Sequence, residues 1–180
     1  MEPLHAAQKF FHAFSVLPEK THFESQAPDE KIVLVLRAHP ITQLPWIFNT
    51  IALVFLIVVS TLYLPLFVSG RQIFVFDIFG FVFVLSYAWF NILNWYYNVG
   101  IITDKRIVDV DFSAIIYKEV TATRLNKVED ITSKSGGYFG SVFNFGDVFI
   151  QTAGAETNIE FLKVPDPSGA VNIINQVLGK

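Results

Sequence analysis

Two long uncharged runs constrain this chain more than any other feature of its sequence. Residues 46–69 contain no charged side chain, and residues 73–97 contain one, Asp77. A hydrocarbon core about 30 Å thick needs about 20 helical residues, so each run is long enough to cross it. The linker between the runs is too short to hold a domain. We therefore predict a transmembrane helical hairpin over residues 41–98, with both chain termini on one side of the membrane.

The composition excludes several classes of function. The chain is 52% hydrophobic and 16% charged, which is more apolar than a soluble domain usually is. Its formal net charge of −3 provides no basic surface for a nucleic acid. Cysteine is absent, which excludes disulfides, thiolate zinc sites, iron–sulfur clusters and cysteine nucleophiles. We therefore expect no nucleic-acid partner and no cofactor.

The basic residues predict the orientation of the hairpin. Lys31 and Arg37 precede the first run, Lys105 and Arg106 follow the second, and the connecting loop has only Arg71. Because positively charged flanks are retained on the cytoplasmic side, this bias predicts that both termini are cytoplasmic. The expected location is the inner (cytoplasmic) cell membrane.

Polar residues within the two runs are candidates for a transport path. In an antiparallel hairpin Asn49 comes level with Asn94, so we predict a hydrogen bond between them. Asp77 lies near the start of the second helix, where a role at the positive helix terminus is expected. The first run offers no ionisable partner at its depth. A pump or transporter built from this pair is therefore not favoured.

Residues 1–40 combine two different patterns. The unbroken apolar run Ile32–Leu36 is β-branched and is typical of a buried strand. A lone strand is unstable, so we predict that it pairs with the β-rich region beyond the hairpin. A short amphipathic helix is predicted earlier in the chain, from apolar residues that recur at helical spacing: Leu4, Ala7, Phe11 and Phe14.

Residues 99–180 change to a period of two and predict a β-domain. Short strands are predicted within residues 98–112 (two), 115–121, 125–133, 147–153 and 157–163. Asp109 and Asp111 alternate with apolar residues and are assigned to a solvated face. A final amphipathic helix is predicted from Asp166 as its N-cap and from an apolar stripe. The predicted class is an α+β membrane protein, with a sandwich or split barrel closed by this helix.

Several motifs together give this chain a family resemblance. Thr103, Arg106 and Ile107 match an "L-T-x-x-R-I" pattern, in which Ile102 replaces the usual leucine. Further matching positions follow in the chain: Val128, Ile131, Gly140, Phe145, Gly146 and Thr152. With the hairpin, the chain resembles the bacterial pleckstrin-homology-like family of the YdbS and YdbT type. The resemblance implies a PH-like domain in a membrane-bound interaction module without known catalysis.

Residues 136–147, GGYFGSVFNFGD, concentrate glycines and aromatic rings. The segment lacks the Lys-Ser/Thr of a P-loop and does not match the dinucleotide pattern, so a phosphate loop is not favoured. The favoured interpretation is a compact turn whose rings pack under the barrel, with Gly146 entering the next strand where a side chain would collide. In the alternative, Tyr138 and Phe139 dip into the bilayer.

The predicted function follows from these elements. We expect a non-enzymatic integral membrane protein that presents a cytoplasmic PH-like domain for protein–protein interaction or scaffolding. The alternative is a module that binds or senses a lipid headgroup, with Lys105 and Arg106 as its cations. Asp104, Asp109 and Asp111 are expected to offset their charge. Candidate headgroup or partner contacts are Lys105, Arg106, Tyr138 and Phe139. The expected partners are the lipid bilayer and a membrane or cytoplasmic protein, with a second copy of the chain as a further candidate.

Overall fold

The computed structural model describes residues 13–18, 23, 26–113, 117–153 and 158–179. They form two compact units. One unit is Ile41–Trp95, and the other combines the described residues up to Pro40 with those from Tyr96 onward.

The first unit consists of two long helices, α1 (Leu44–Tyr63) and α2 (Gly70–Tyr97). With flanking turns, the helical stretches Pro40–Leu66 and Gly70–Tyr97 contain 27 and 28 residues and are apolar enough to cross a membrane. Most of their large apolar side chains are exposed. Their length and composition suggest that the protein associates with a membrane.

The polar residues of this unit are arranged differently from the sequence prediction. Asp77 lies about two turns into α2, and its Oδ1 accepts a hydrogen bond from the Thr61 hydroxyl at 3.0 Å. The predicted role of Asp77 at the helix terminus is therefore wrong, because the carboxylate binds α1 instead. Asn49 is exposed, and its hydrogen bond with Asn94 stays a prediction.

The second unit contains two antiparallel sheets. The first sheet has the order β1-β2-β3-β4-β5, with bounds Phe14–Val16, Ile32–Leu36, Val99–Thr103, Arg106–Ser113 and Tyr117–Arg124. The second has the order β6-β7-β8, with bounds Val128–Ser135, Phe145–Thr152 and Ile159–Pro165. A short helix, α3 (Gly137–Phe143), connects β6 to β7, and α4 (Pro167–Leu178) follows β8.

The strand before the helical hairpin joins the sheet formed by the strands after it. β2 pairs with β3 in a register that places Val35 opposite Ile101. This pairing confirms the predicted split domain, in which the hairpin is an insertion between two neighbouring strands. The sequence prediction missed β1, which pairs with β2. Phe14 belongs to β1 and not to the predicted amphipathic helix, whose other members Leu4, Ala7 and Phe11 lie outside the described residues.

The main core lies where the two sheets and α4 meet. Its buried residues come from both sheets and from one face of α4: Leu34, Leu36, Ile102, Ile107, Val128, Val148, Ile150, Ile159, Phe161, Val164, Ala170 and Ile174. The Asp166 carboxylate accepts a hydrogen bond from the Gly169 N–H at 3.3 Å, which confirms the predicted N-cap. The two antiparallel sheets and the terminal helix agree with the predicted sandwich.

Candidate functional site

The turn between β3 and β4 holds the two predicted headgroup cations and is organised by one hydroxyl. Thr103 is fully buried, and its Oγ1 accepts hydrogen bonds from the backbone N–H groups of Lys105 (3.2 Å) and Arg106 (3.0 Å). The same oxygen lies 2.8 Å from both the Arg106 carbonyl oxygen and Glu30 Oε1, and its single proton can go to either. Thr103 therefore shapes the turn and links it to the chain before β2.

Glu30 neutralises Arg106. The Arg106 Nε–H donates to Glu30 Oε1 at 2.9 Å and Nη2 donates to Oε2 at 3.0 Å, a two-pronged geometry typical of strong ion pairs. Glu30 is 4% exposed. Its burial alone would raise its pKa, but hydrogen bonds from Arg106, the Ala27 N–H and Thr103 outweigh burial and hold the pKa at about 2. Arg106 is therefore a structural cation rather than a free one.

Lys105 has a weaker partner. Its ammonium forms an ion pair with Asp29, and the hydrogen bond from Lys105 is the main reason why the Asp29 pKa is lowered. The Lys105 and Asp29 side chains are 44% and 76% exposed, so this pair contributes little stability. Asp104 was expected to offset the two cations. Its carboxylate accepts the Lys31 N–H at 2.9 Å and fastens the turn to β2, and the offset of the cations stays a prediction.

The neutralising acids were not found from the sequence, although one signal pointed to them. Asp29 and Glu30 stand immediately before the buried strand β2, whose predicted pairing with β3 brings them beside the β3–β4 turn. The structure thus brings together Lys105, Arg106 and two unpredicted acids. The other two predicted contacts, Tyr138 and Phe139, are carried by a different element.

Tyr138 and Phe139 lie on α3, where the sequence predicted a compact turn with packed rings. That prediction is wrong, because Tyr138 is 81% and Phe139 is 69% exposed. The helix instead packs through Gly140, where an added Cβ would lie 2.6 Å from the Phe145 carbonyl oxygen. The predicted collision at Gly146 is confirmed, since a Cβ there would lie 2.2 Å from the Lys134 carbonyl oxygen. The glycines allow close backbone packing, and the rings remain outside.

The corner formed by α3 leads into a contact with His39, a residue that precedes the hairpin in the chain. Phe145, the first residue of β7, stacks on the ring of His39 with centroids 5.7 Å apart. The backbone N–H of His39 donates to the Lys163 carbonyl oxygen at 2.7 Å. Burial lowers the pKa of His39, so its ring is neutral near pH 7. The residue after His39 is Pro40, which begins the first long apolar helical stretch.

One edge of the second sheet is open. Among the described strands β6 pairs with β7 alone, and residues 132–136 are all exposed. The Gly136 N–H donates to the Phe145 carbonyl oxygen. In an antiparallel pair, every second residue of a strand is hydrogen-bonded to its neighbour, and Gly136 is one of these residues in the pairing with β7. Ser133 and Ser135 are therefore the residues whose backbone N–H and C=O groups point away from β7. The earlier part of the edge is closed, since the Asp130 carboxylate accepts the Ile131 N–H at 2.9 Å.

Three carboxylates gather on β4 and β5. Asp111 pairs directly with Glu119, and the neighbouring Asp109 is half-buried. Burial, then the charge of Asp111 and then that of Glu119 raise the pKa of Asp109 to about 7. The predicted solvated face is therefore wrong for Asp109, which lies opposite Gly100 in the middle of the sheet. Within the described part of the chain, no group of three or more His, Asp or Glu side chains is placed to hold a metal ion.

Comparison with known families gives one match. A family model described as a bacterial PH domain matches residues 39–177. No curated protein and no solved structure matches the chain.

Proposed function

Because the chain belongs to the bacterial PH domain family, we propose that it is a non-enzymatic membrane protein whose PH-like domain binds another protein. The absence of catalysis is part of this proposal. In its support, residues 99–180 contain no histidine and no cysteine, and the Ser141 hydroxyl donates to the Gly137 carbonyl oxygen at 3.0 Å instead of to a base.

The open edge of β6 is the observation that carries the proposal of protein binding. Ser133 and Ser135 present backbone donors and acceptors to the outside, and an extended segment of a partner satisfies such groups by adding a strand. Nearby Thr132 and Ser133 are uncharged. The β5 edge carries Glu119 and Arg124 and the β6 edge carries Lys134 between the two serines, so charged side chains are present at both edges. We propose the β6 edge as the site for a partner because its outward donors and acceptors are assigned to Ser133 and Ser135.

Anchoring of this domain in a membrane is the second part of the proposal. The two apolar helices supply the hairpin, and the bias of basic residues favours cytoplasmic termini. With this topology the β6 edge faces the cytoplasm, so its partner is a cytoplasmic protein or the cytoplasmic part of a membrane protein.

Binding of a lipid headgroup is the second candidate function. It is favoured by the partial exposure of Lys105, whose side chain is 44% accessible. It is disfavoured by Glu30, which engages Arg106 through two hydrogen bonds, and by Asp29, which engages Lys105. An anionic headgroup has to displace these carboxylates before it meets a free cation.

Site-specific photocrosslinking in native membranes tests the protein-binding proposal. A photoreactive residue at Thr132, which is exposed on β6, should form adducts with a protein. Ser133→Pro should abolish them, because proline removes the outward N–H that an added strand needs and leaves the β6–β7 hydrogen bonds intact. Ser133→Ala is the matched control and should preserve the adducts, since it keeps that N–H.

Two results would contradict the proposal. Adducts that survive Ser133→Pro would show that strand addition does not occur at this edge. Adducts that contain lipid only, and that are lost in the Lys105→Ala variant, would support the headgroup alternative instead.

A further inference from the structure

The helix α3 has its apolar side on the outside. Tyr138 and Val142 are four residues apart, as are Phe139 and Phe143, so the four side chains share one face of the helix. They are 81%, 60%, 69% and 44% exposed, respectively. The opposite side is held to the sheet by the buried Gly140. Helices of soluble domains usually bury their apolar face, so the outward face of α3 is open to an occupant outside the domain.

The neighbourhood of α3 indicates which occupant fits. The helix is followed directly by Phe145, which stacks on His39, and the chain leaves the domain at Pro40 for a 27-residue apolar helical stretch. Residues 135–146 contain no charged side chain. The helix α3 is uncharged and rich in aromatic rings, which is the composition of an interfacial element.

A second copy of the chain is a poorer occupant. With seven residues, α3 is about 10 Å long, and its exposed face is far smaller than the roughly 800 Å² per partner of a stable protein interface. A lipid surface has no such minimum, because insertion of a few rings adds to an anchor that already holds the protein.

We infer that α3 inserts its apolar face into the boundary between headgroups and acyl chains, in the leaflet that α1 enters. This inference rests on the proposed membrane placement of α1 and α2. Insertion fixes the PH-like domain against the membrane surface. It depends on apolar contact and not on lipid charge, so it is distinct from headgroup binding at Lys105 and Arg106.

The absence of cysteine allows a direct test on the full-length protein. A single cysteine replaces Phe139 and carries an environment-sensitive fluorophore, and the protein is reconstituted into phosphatidylcholine vesicles. Part of the lipid carries a quencher, placed either near the glycerol or near the chain end. Leu17→Cys is the matched control. Leu17 is 63% exposed. Its backbone N–H donates to the carbonyl oxygen of Val33, near the beginning of β2. The chain leaves the sheet at the other end of β2, after Leu36.

The expected result is quenching of the label at position 139 by the shallow quencher, about twofold or more above that at position 17. Replacing part of the phosphatidylcholine by phosphatidylglycerol should not change the ratio. Equal quenching at the two positions would overturn the inference. Self-quenching at position 139 that increases with protein density and does not depend on the lipid quencher would overturn the inference. It would indicate that α3 contacts a second copy of the chain.

A label at Phe55→Cys separates this inference from the proposed membrane anchor. Phe55 lies near the middle of α1 and is 64% exposed, so the deep quencher should act on it. If position 55 is quenched and position 139 is not, only the interfacial role of α3 is wrong. If neither is quenched, the membrane placement fails, and the role of α3 fails with it.

Discussion

The turn between β3 and β4 and the corner formed by α3 behave in opposite ways. The turn carries cations of the kind that bind ligands, yet Arg106 is engaged by the buried Glu30. The corner carries rings of the kind that form cores, yet Tyr138 and Phe139 are exposed. Residue type thus indicates what chemistry a segment can perform. Whether that chemistry is available depends on partners distant in sequence and on the backbone packing beneath the segment.

The distances along the chain explain the difference. Glu30 and Arg106 are 76 positions apart, so no local pattern relates them. Gly140 and Phe145 are close in sequence, but only the three-dimensional contact shows that the glycine side of α3 faces inward. The following predictions test whether the turn is structural and the corner is free.

The largest effect is expected at Thr103. Thr103→Val keeps the shape of the side chain but leaves two backbone N–H groups without their acceptor and removes the hydroxyl that lies 2.8 Å from Glu30 Oε1. We expect a loss of about 2–3 kcal/mol in the free energy of unfolding of the full-length protein in detergent, measured by denaturant titration. Thr132→Val, on the exposed part of β6, is the control and should change stability by less than about 0.5 kcal/mol. Equal effects of the two substitutions would mean that Thr103 does not organise the turn.

An intermediate and pH-dependent effect is expected at Asp109. The pKa of Asp109 is raised from 3.8 to about 7, so the folded protein retains a proton that the unfolded chain releases near pH 4. The stability of the native protein therefore falls as pH rises from about 4 to about 7, and the cost is complete above that range. Asp109→Asn removes this cost. It should stabilise the protein by about 1 kcal/mol at about pH 8, after allowance for partial exposure, and by much less at about pH 5.

The control for Asp109 is its exposed neighbour. Asp111→Asn removes one of the charges that raise the Asp109 pKa, but leaves the larger effect of burial. Asp111→Asn should raise the free energy of unfolding by less than Asp109→Asn does, with the same dependence on pH. A gain at Asp109→Asn that is independent of pH would show that the charge of Asp109 is not the cause.

The smallest effect on stability is expected at the corner. Because Tyr138 and Phe139 are largely exposed, the double substitution Tyr138→Ser and Phe139→Ser should change the free energy of unfolding in detergent by about 0.5 kcal/mol or less. Phe161→Ala is the contrasting control, since Phe161 is 3% exposed and should cost about 3 kcal/mol or more. A large loss from the serine substitutions would mean that the rings belong to the core after all.

Local patterns in the sequence predicted much of the fold. Hydrophobic length identified the two apolar helices, alternation identified β4, and the Asp166 cap identified α4. The unbroken run of β2 also predicted its pairing across the hairpin. β1 was missed because three residues are too few to show a period.

The candidate site was less predictable than the fold. The four predicted contacts stay predictions: Lys105 and Arg106 are engaged in ion pairs, whereas Tyr138 and Phe139 are exposed. Asp29 and Glu30, the partners of Lys105 and Arg106, precede the hairpin. They were not predicted because they are far from the two cations in the sequence. The orientation of α3 depends on which of its sides can approach the Phe145 backbone, and a short helix that contains two glycines does not show that by periodicity.

A double-mutant cycle between Glu30 and Arg106 tests the central claim most directly. The claim is that the Arg106 charge is satisfied within the chain. The free energy of unfolding is measured for the native protein, Glu30→Gln, Arg106→Gln and the double variant. We predict a coupling of about 2 kcal/mol. It should shrink as pH falls from about 4.5 towards 2, because protonation of Glu30 removes its charge. A coupling near zero at neutral pH would contradict the claim and leave Arg106 free to bind a ligand.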